Sequence, residues 1–243
     1  MSSAIPGHDH PVPGSDPRSA PVARISRAAL TANARAARER GIRSYGPSIL
    51  QADAWGHGAE LVRDVLAAEE FVPEETVPEV RRGDVEHGAV VGRARTLQPS
   101  WLFGLPDSEH ATAPALRLTG TVLSVKDLRA GEGVSYGYAY RASTDTRVAL
   151  VTGGYAQGIV RGLGGAVHVA IARGRHPIIG RVAMDVCVVE ITDAAVRRGE
   201  EALFLGDPAQ GEPSLAEWVR ATGLTAGELV TTVGLRAIRE EAL

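Results

Sequence analysis

From residue 1 to about residue 21 the chain shows no apolar periodicity, and Pro6, Pro11, Pro13, Pro17 and Pro21 sit among Ser, Gly, His and Asp. This stretch, 1–21, reads as a disordered tail. The pattern then changes. Ala28 to Arg40 is rich in strong helix formers and is stopped by Gly41, which predicts a helix. Ser48-Ile49-Leu50 is a short apolar run that predicts a strand, followed by a loop over Gln51 to Gly58. Leu61, Val62, Val65 and Leu66 share one face of a second helix running to about Glu70. Strand, loop and helix together make one βα unit. Residues 72–115 carry prolines at 73, 78, 99, 106 and 114, with Ala89-Val90-Val91 as a strand candidate, and no further βα rhythm. From Leu116 the pattern turns β-rich. Leu116–Val125, Val148–Val151, Ala166–Ala172 and Ile178–Ile191 are β-branched runs separated by glycine turns, and Leu203–Leu205 adds a strand. Ser214 with Glu217 forms a capping box for a helix through Ala221, while Thr225–Ile238 reads equally as helix or strand. The fold class is therefore α+β.

Composition narrows the function classes. With 243 residues and 44% of them apolar, the chain can build a sizeable core. A net charge of −3, with arginines dispersed among 29 acids, points to no nucleic acid and no anionic membrane as partner. A single cysteine, Cys187, excludes an intrachain disulfide, and there is no run of 18 apolar residues and no signal-type start. The expectation is a soluble, cytoplasmic protein. No metal site is expected: His8-Asp9-His10 lacks a distant ligand, and His57 between two glycines lacks a second ligand at a defined spacing. Gly153-Gly154 and Gly162-Leu163-Gly164-Gly165 lack the endings of nucleotide-binding loops and read as turns. Of 26 basic side chains only Lys126 is a lysine, so any chemistry that needs a lysine amine rests on that residue.

Several segments, in order, carry a family resemblance. Gln51-Ala52-Asp53-Ala54-Trp55-Gly56-His57-Gly58 resembles the alanine racemase segment in which a lysine, followed by Ala-Asp-Ala-Tyr-Gly-His-Gly, carries pyridoxal phosphate. Ser135-Tyr136-Gly137 resembles the segment that supplies the second base, with Tyr136 at the base's position. Gly154-Tyr155-Ala156-Gln157-Gly158, Gly180-Arg181-Val182-Ala183-Met184-Asp185 and Trp101-Leu102-Phe103-Gly104 resemble further family runs. The likeness is strongest over residues 116–239. It implies pyridoxal phosphate as cofactor, interconversion of L- and D-alanine as the reaction, and an α/β barrel followed by a β-rich domain. It also implies a homodimer with shared active sites, or a hetero-partner engaged through the β domain.

The same resemblance shows what has changed. Gln51 stands where the family has its lysine, and an amide nitrogen is neither nucleophilic nor basic. Covalent binding of the cofactor is therefore expected to be absent. Trp55 and Glu241 occupy the positions of two tyrosines that contact the cofactor phosphate in the family, and a carboxylate beside a phosphate is repulsive. Met184 and Asp185 match residues lining the substrate carboxylate site. Tyr136 needs a charged neighbour to act near neutral pH, since a free phenol titrates near pH ~10. An eight-fold α/β barrel takes roughly 250 residues, whereas Val22 to Ala115 provides 94. The organisation expected is thus a tail (1–21), a shortened barrel remnant (22–115) and a β domain (116–243) large enough to fold alone. Catalysis is expected to be impaired or absent. The alternatives are an active racemase with an unusual site, a partner-binding or regulatory protein, and a decayed gene product.

Overall fold

The computed structural model describes residues 20–74 and 96–242. Most of the expected tail, the His8-Asp9-His10 triplet and the Ala89-Val90-Val91 strand candidate lie outside the described residues. The architecture is α+β. Strand β1 (Val22–Ser26) buries Ala23 and Ile25, and the Ser26 hydroxyl accepts the Ala29 N–H at 3.1 Å to cap helix α1 (Arg27–Glu39). Helix α1 turns Leu30, Asn33, Ala34 and Ala37 inward. Asn33 is a buried clamp: its amide donates to the Leu102 and Ala113 carbonyls and accepts the Ala113 N–H at 3.0 Å. That satisfies the side chain fully and pins a distant linker to α1.

Three two-residue parallel strands follow: β2 (Ser44–Tyr45) lies between β3 (Val72–Pro73) and β4 (Thr96–Leu97). Helices α3 (Ala59–Ala68), which buries Val62, Val65 and Leu66, and α4 (Pro99–Phe103) both pack on α1. A short helical turn, α2 (Gln51–Trp55), precedes α3. The strand expected at Ser48–Leu50 is instead a 3-10 turn over Pro47–Leu50. Pro47 has no N–H for a ladder and its fixed φ starts a helical turn, so the parallel pairing stops at Tyr45.

The β domain closes on itself. Strands β5 (Leu116–Leu128), β8 (Thr146–Thr152), β11 (Val186–Glu190), β10 (Gly174–Ile179), β9 (His168–Ile171) and β12 (Glu201–Leu205) pair antiparallel in that order, and β12 returns to β5. A six-stranded barrel results, which removes the open edges of the sheet. Strand β5 can serve three partners because it is 13 residues long and its pairing shifts register between Val122 and Ser124. A small hairpin, β6 (Gly133–Val134) and β7 (Tyr140–Arg141), projects from it. The expected run Ile178–Ile191 is two strands broken at Gly180–Asp185.

Helix α5 (Leu215–Thr222) starts at the Ser214–Glu217 capping box. The ambiguous Thr225–Ile238 segment resolves into helix α6 (Ala226–Gly234), capped by Thr225, followed by strand β13 (Ile238–Ala242). Strand β13 pairs parallel with β1, and β1 pairs antiparallel with the first half of β5. One continuous core accordingly joins Ile25, Leu30 and Leu66 to Leu118, Phe204 and Val233.

Candidate functional site

Gln51 opens a left-handed turn. Ala52, Asp53, Ala54 and Trp55 all have φ between 49° and 54°, followed by Gly56 at 79°. L-residues avoid this region at a cost on the order of 1–2 kcal/mol each, so the turn persists only because its surroundings hold it. Backbone hydrogen bonds run from Gly56 to Ala52, His57 to Ala54 and Gly58 to Asp53, all between 2.9 and 3.0 Å. The Asp53 carboxylate accepts the Ala59 N–H at 2.7 Å at the start of α3 and pairs with Arg239 at 2.6 Å. The Ala59 N–H first, and Arg239 with it, hold the Asp53 carboxyl below the usual carboxylate range. Gly56 crosses Gly234 at the end of α6 so closely that a Cβ on Gly56 would lie 2.7 Å from the Gly234 Cα. Only glycine permits that approach.

Within this turn the residues differ sharply in environment. Gln51 is exposed at its entrance. The Trp55 indole N–H donates to the Ser48 carbonyl at 3.0 Å. His57 is fully buried and stacked on Phe103 with ring centroids 4.2 Å apart. Its Nδ1 lies 3.1 Å from both the Ala54 and Trp55 carbonyls. Carbonyls only accept, so Nδ1 carries the proton and Nε2 is left as an acceptor, for which no partner exists among the described residues. Burial pushes the imidazole pKa down to about 4. No local pattern signals this burial, because two flanking glycines favour a loop reading.

Glu241 lies on β13 opposite Ile25, and its carboxylate is gripped by Arg27 at 2.6 Å, which holds it below its ordinary range. Lys126 sits on β5, opposite Val148 of β8, and is exposed. Cys187, read as a buried strand residue, is buried in β11, and burial pushes its thiol up to about 12.

A second group of loops gathers on the β domain. The backbone of Tyr136 forms a 3-10 turn with Gly137 and Tyr138. Next to it, the Ser135 hydroxyl accepts the Arg181 N–H at 2.9 Å. The Gly154–Gly158 turn docks on the same connection: Tyr155 N–H reaches the Ala183 carbonyl at 2.9 Å and Ala156 N–H the Met184 carbonyl at 3.0 Å. A Cβ on Gly154 would collide with the Met184 carbonyl. Met184 and Asp185 are exposed at this junction. The fold thus brings together Tyr136, Met184 and Asp185 by backbone packing. The Gln51 turn joins this group through α6, whose Gly234 touches Gly56 and whose neighbour Arg236 donates to the Ala156 carbonyl at 3.2 Å.

A family model described as alanine racemase, C-terminal domain, matches residues 115–241, more than half of the chain. The chain belongs to the alanine racemase family. Among curated relatives, alanine racemase of Mycobacterium avium (strain 104) is 42% identical over 121 residues, which is 49% of this chain and 31% of the relative. Alanine racemase of Thermobifida fusca (strain YX) is 39% identical over 126 residues, 52% of this chain and 34% of the relative. The chain therefore spans about a third of the length of these family members. An alanine racemase structure from D-cycloserine-producing Streptomyces lavendulae superposes with a TM-score of 0.58 at 28% identity, covering 88% of this chain and 60% of that one. Alanine racemase from Streptomyces coelicolor A3(2) shares the fold with a TM-score of 0.75 at 21% identity, over 92% of this chain and 98% of that one.

Family membership implies pyridoxal phosphate, which needs an amine for its anchoring imine and free donors around its phosphate. Gln51 presents an amide, the Trp55 indole N–H is spent on Ser48, and the Glu241 carboxylate is locked to Arg27. These side chains do not supply what an anchored cofactor needs.

Proposed function

We propose that this chain is an alanine racemase family protein that does not interconvert L- and D-alanine by itself. The observation that carries this reading is Gln51, an amide at the entrance of the left-handed turn, while the sole lysine, Lys126, lies on the β5 strand. In the family, pyridoxal phosphate supplies an electron sink for the carbanion at the amino acid's α-carbon, and two bases move the proton. Here Tyr136 stands at the position of one base, and the other has no basic side chain. Met184 and Asp185 keep the position that borders the substrate carboxylate, and Trp55 and Glu241 the positions around the phosphate. In this reading residues 22–115 are a shortened barrel and 116–243 the β domain. The compartment is a reducing, cytoplasmic one, in keeping with a lone cysteine that is buried.

The test is direct. Incubated with pyridoxal phosphate, the protein should show no visible aldimine band that borohydride abolishes, and no D-alanine should form from L-alanine. A borohydride-sensitive band, or D-alanine formation that Tyr136→Phe removes, overturns the reading and establishes an active racemase. Gln51→Lys alone should leave turnover absent, because Trp55 and Glu241 remain engaged elsewhere and the barrel is short. Measurable racemisation by that single variant would show that the rest of the site is intact.

A partner-binding role is a second reading, favoured by the exposed Tyr155, Met184 and Leu235 around the Gly154 turn, with Arg161 stacked over Tyr155. A homodimer, or a complex with a barrel-bearing chain, would cover them. Light scattering of the purified protein separates these cases: a monomer at all concentrations removes the homodimer.

A further inference from the structure

We propose that the cavity enclosed by the 104–114 segment, the 206–209 loop and the first turn of α5 binds a small organic amine, a protonated ammonium on an apolar body, with the Asp207 carboxylate as its counter-charge. This site goes beyond the racemase reading and uses none of Gln51, Trp55, Met184, Asp185 or Glu241 in its walls. Its volume is about 340 Å³, and Phe103, Leu105, Leu116, Leu205 and Leu215 make much of the wall apolar. Size and lining of this kind suit a body built on a single ring.

Charge decides the class of ligand. Asp207 is the one carboxylate among the described residues of the wall, and no described arginine or lysine lines the cavity. Two neighbouring acids are already neutralised, Glu212 by Arg117 and Glu217 by Arg175. Asp207 has no cation partner among the described residues. It is half-buried, and it accepts the Ala209 N–H at 2.9 Å and the Gln210 side-chain amide at 3.1 Å. A carboxylate has about four lone-pair sites, so both oxygens keep acceptor capacity. Capping the 3-10 turn over Pro208–Gln210 requires an acceptor but not a charge, so the charge is surplus to that role. An ammonium donates three hydrogen bonds and makes charge-assisted ones to a carboxylate. A neutral ligand would leave the charge unanswered beside an apolar wall, and an anion would be repelled. The N-terminus of α5, which borders the cavity, does not reverse this: the Ser214 N–H and hydroxyl both donate to Glu217, at 3.4 and 3.3 Å, so its positive end already faces a carboxylate. Of the two imidazoles in the wall, His57 is fully buried with its pKa pushed down to about 4, and His110 lies against the Trp101 ring with centroids 3.7 Å apart.

Phenethylamine and phenethyl alcohol are a matched pair of probes, alike in shape and differing in charge. Calorimetry on the whole chain at pH ~8, where the amine keeps its proton and a free imidazole has lost its own, should show saturable amine binding about tenfold tighter than that of the alcohol. The methyl resonances of Leu105 and Leu215 should shift on amine addition, which locates the ligand in this cavity. Asp207→Asn keeps an acceptor for the Ala209 N–H and removes the charge. It should lower the amine's affinity to that of the alcohol and leave the alcohol's affinity unchanged. If that variant does not fold, the methyl shifts and the amine preference of the unmutated chain still decide, with the preference shrinking as salt rises. Absence of saturable amine binding, equal affinity for the two probes in the unmutated chain, methyl shifts confined to other parts of the molecule, or an amine preference that survives Asp207→Asn would each overturn the proposal.

Discussion

At the scale of single residues, identity and environment carry different information. That Gln51 lacks an amine and that Lys126 is alone follows from composition. That Trp55 and Glu241 are already occupied, by the Ser48 carbonyl and by Arg27, does not. His57 gives the sharpest case, because burial, with the Arg239 charge as a minor contributor, lowers its pKa from an ordinary 6.5 to about 4. Between those values the unfolded chain binds a proton that the folded chain refuses. Stability should therefore be unaffected by His57 above pH ~6.5 and fall as the pH drops toward 4, by up to about 3 kcal/mol. Urea unfolding compared between the parent and His57→Phe isolates this loss from that of the carboxylates. A parent curve parallel to that of His57→Phe over this range would rule the burial out.

At the scale of elements, α1, α3 and α5 were legible because their signals are local. A run of strong helix formers with a stop at Gly41, and the Ser214–Glu217 capping box, define α1 and α5 from adjacent residues. The left-handed turn was not legible, since Ala52, Asp53, Ala54 and Trp55 have no intrinsic preference for positive φ. It depends on contacts with Arg239 and Gly234, close to the other end of the chain. Asp53 joins the turn to α3, so Asp53→Ala should remove both an N-terminal helix contact and the Arg239 ion pair, at a cost of about 1–2 kcal/mol. Asp53→Asn, which keeps an acceptor for the Ala59 N–H, should lose less. Denaturant midpoints of the two variants check this ordering, and equal losses would assign the stabilisation to Arg239 alone.

At the scale of the whole molecule, β1 decides how the parts cohere. It sits between β5 and β13, and β13 has its ladder in the sheet through β1. Residues near the two ends of the chain are thereby paired, as Val22 with Ile238. Unfolding should be a single transition reported equally by circular dichroism and by tryptophan fluorescence, since Trp101 lies on α4 and Trp218 on α5. Deletion of residues 1–26 should lower the midpoint and leave β5 and β13 as open edges prone to association. Two separated transitions would show the amino-terminal part to be an independent unit.

The sequence by itself determined the α+β class, the β-rich second half, the family resemblance and the presence of a single lysine, because these depend on residue identity and on periods of a few residues. Only the tertiary structure decided that β5 closes a six-stranded barrel, that β1 binds both ends of the chain together and that Arg27 and Arg239 occupy Glu241 and Asp53. It also decided that His57 is fully buried against Phe103. Strand partners, ion pairs and cavity walls are formed by residues far apart in the chain, 214 positions for Arg27 and Glu241. No local pattern specifies such encounters, since they arise when elements pack around a common core.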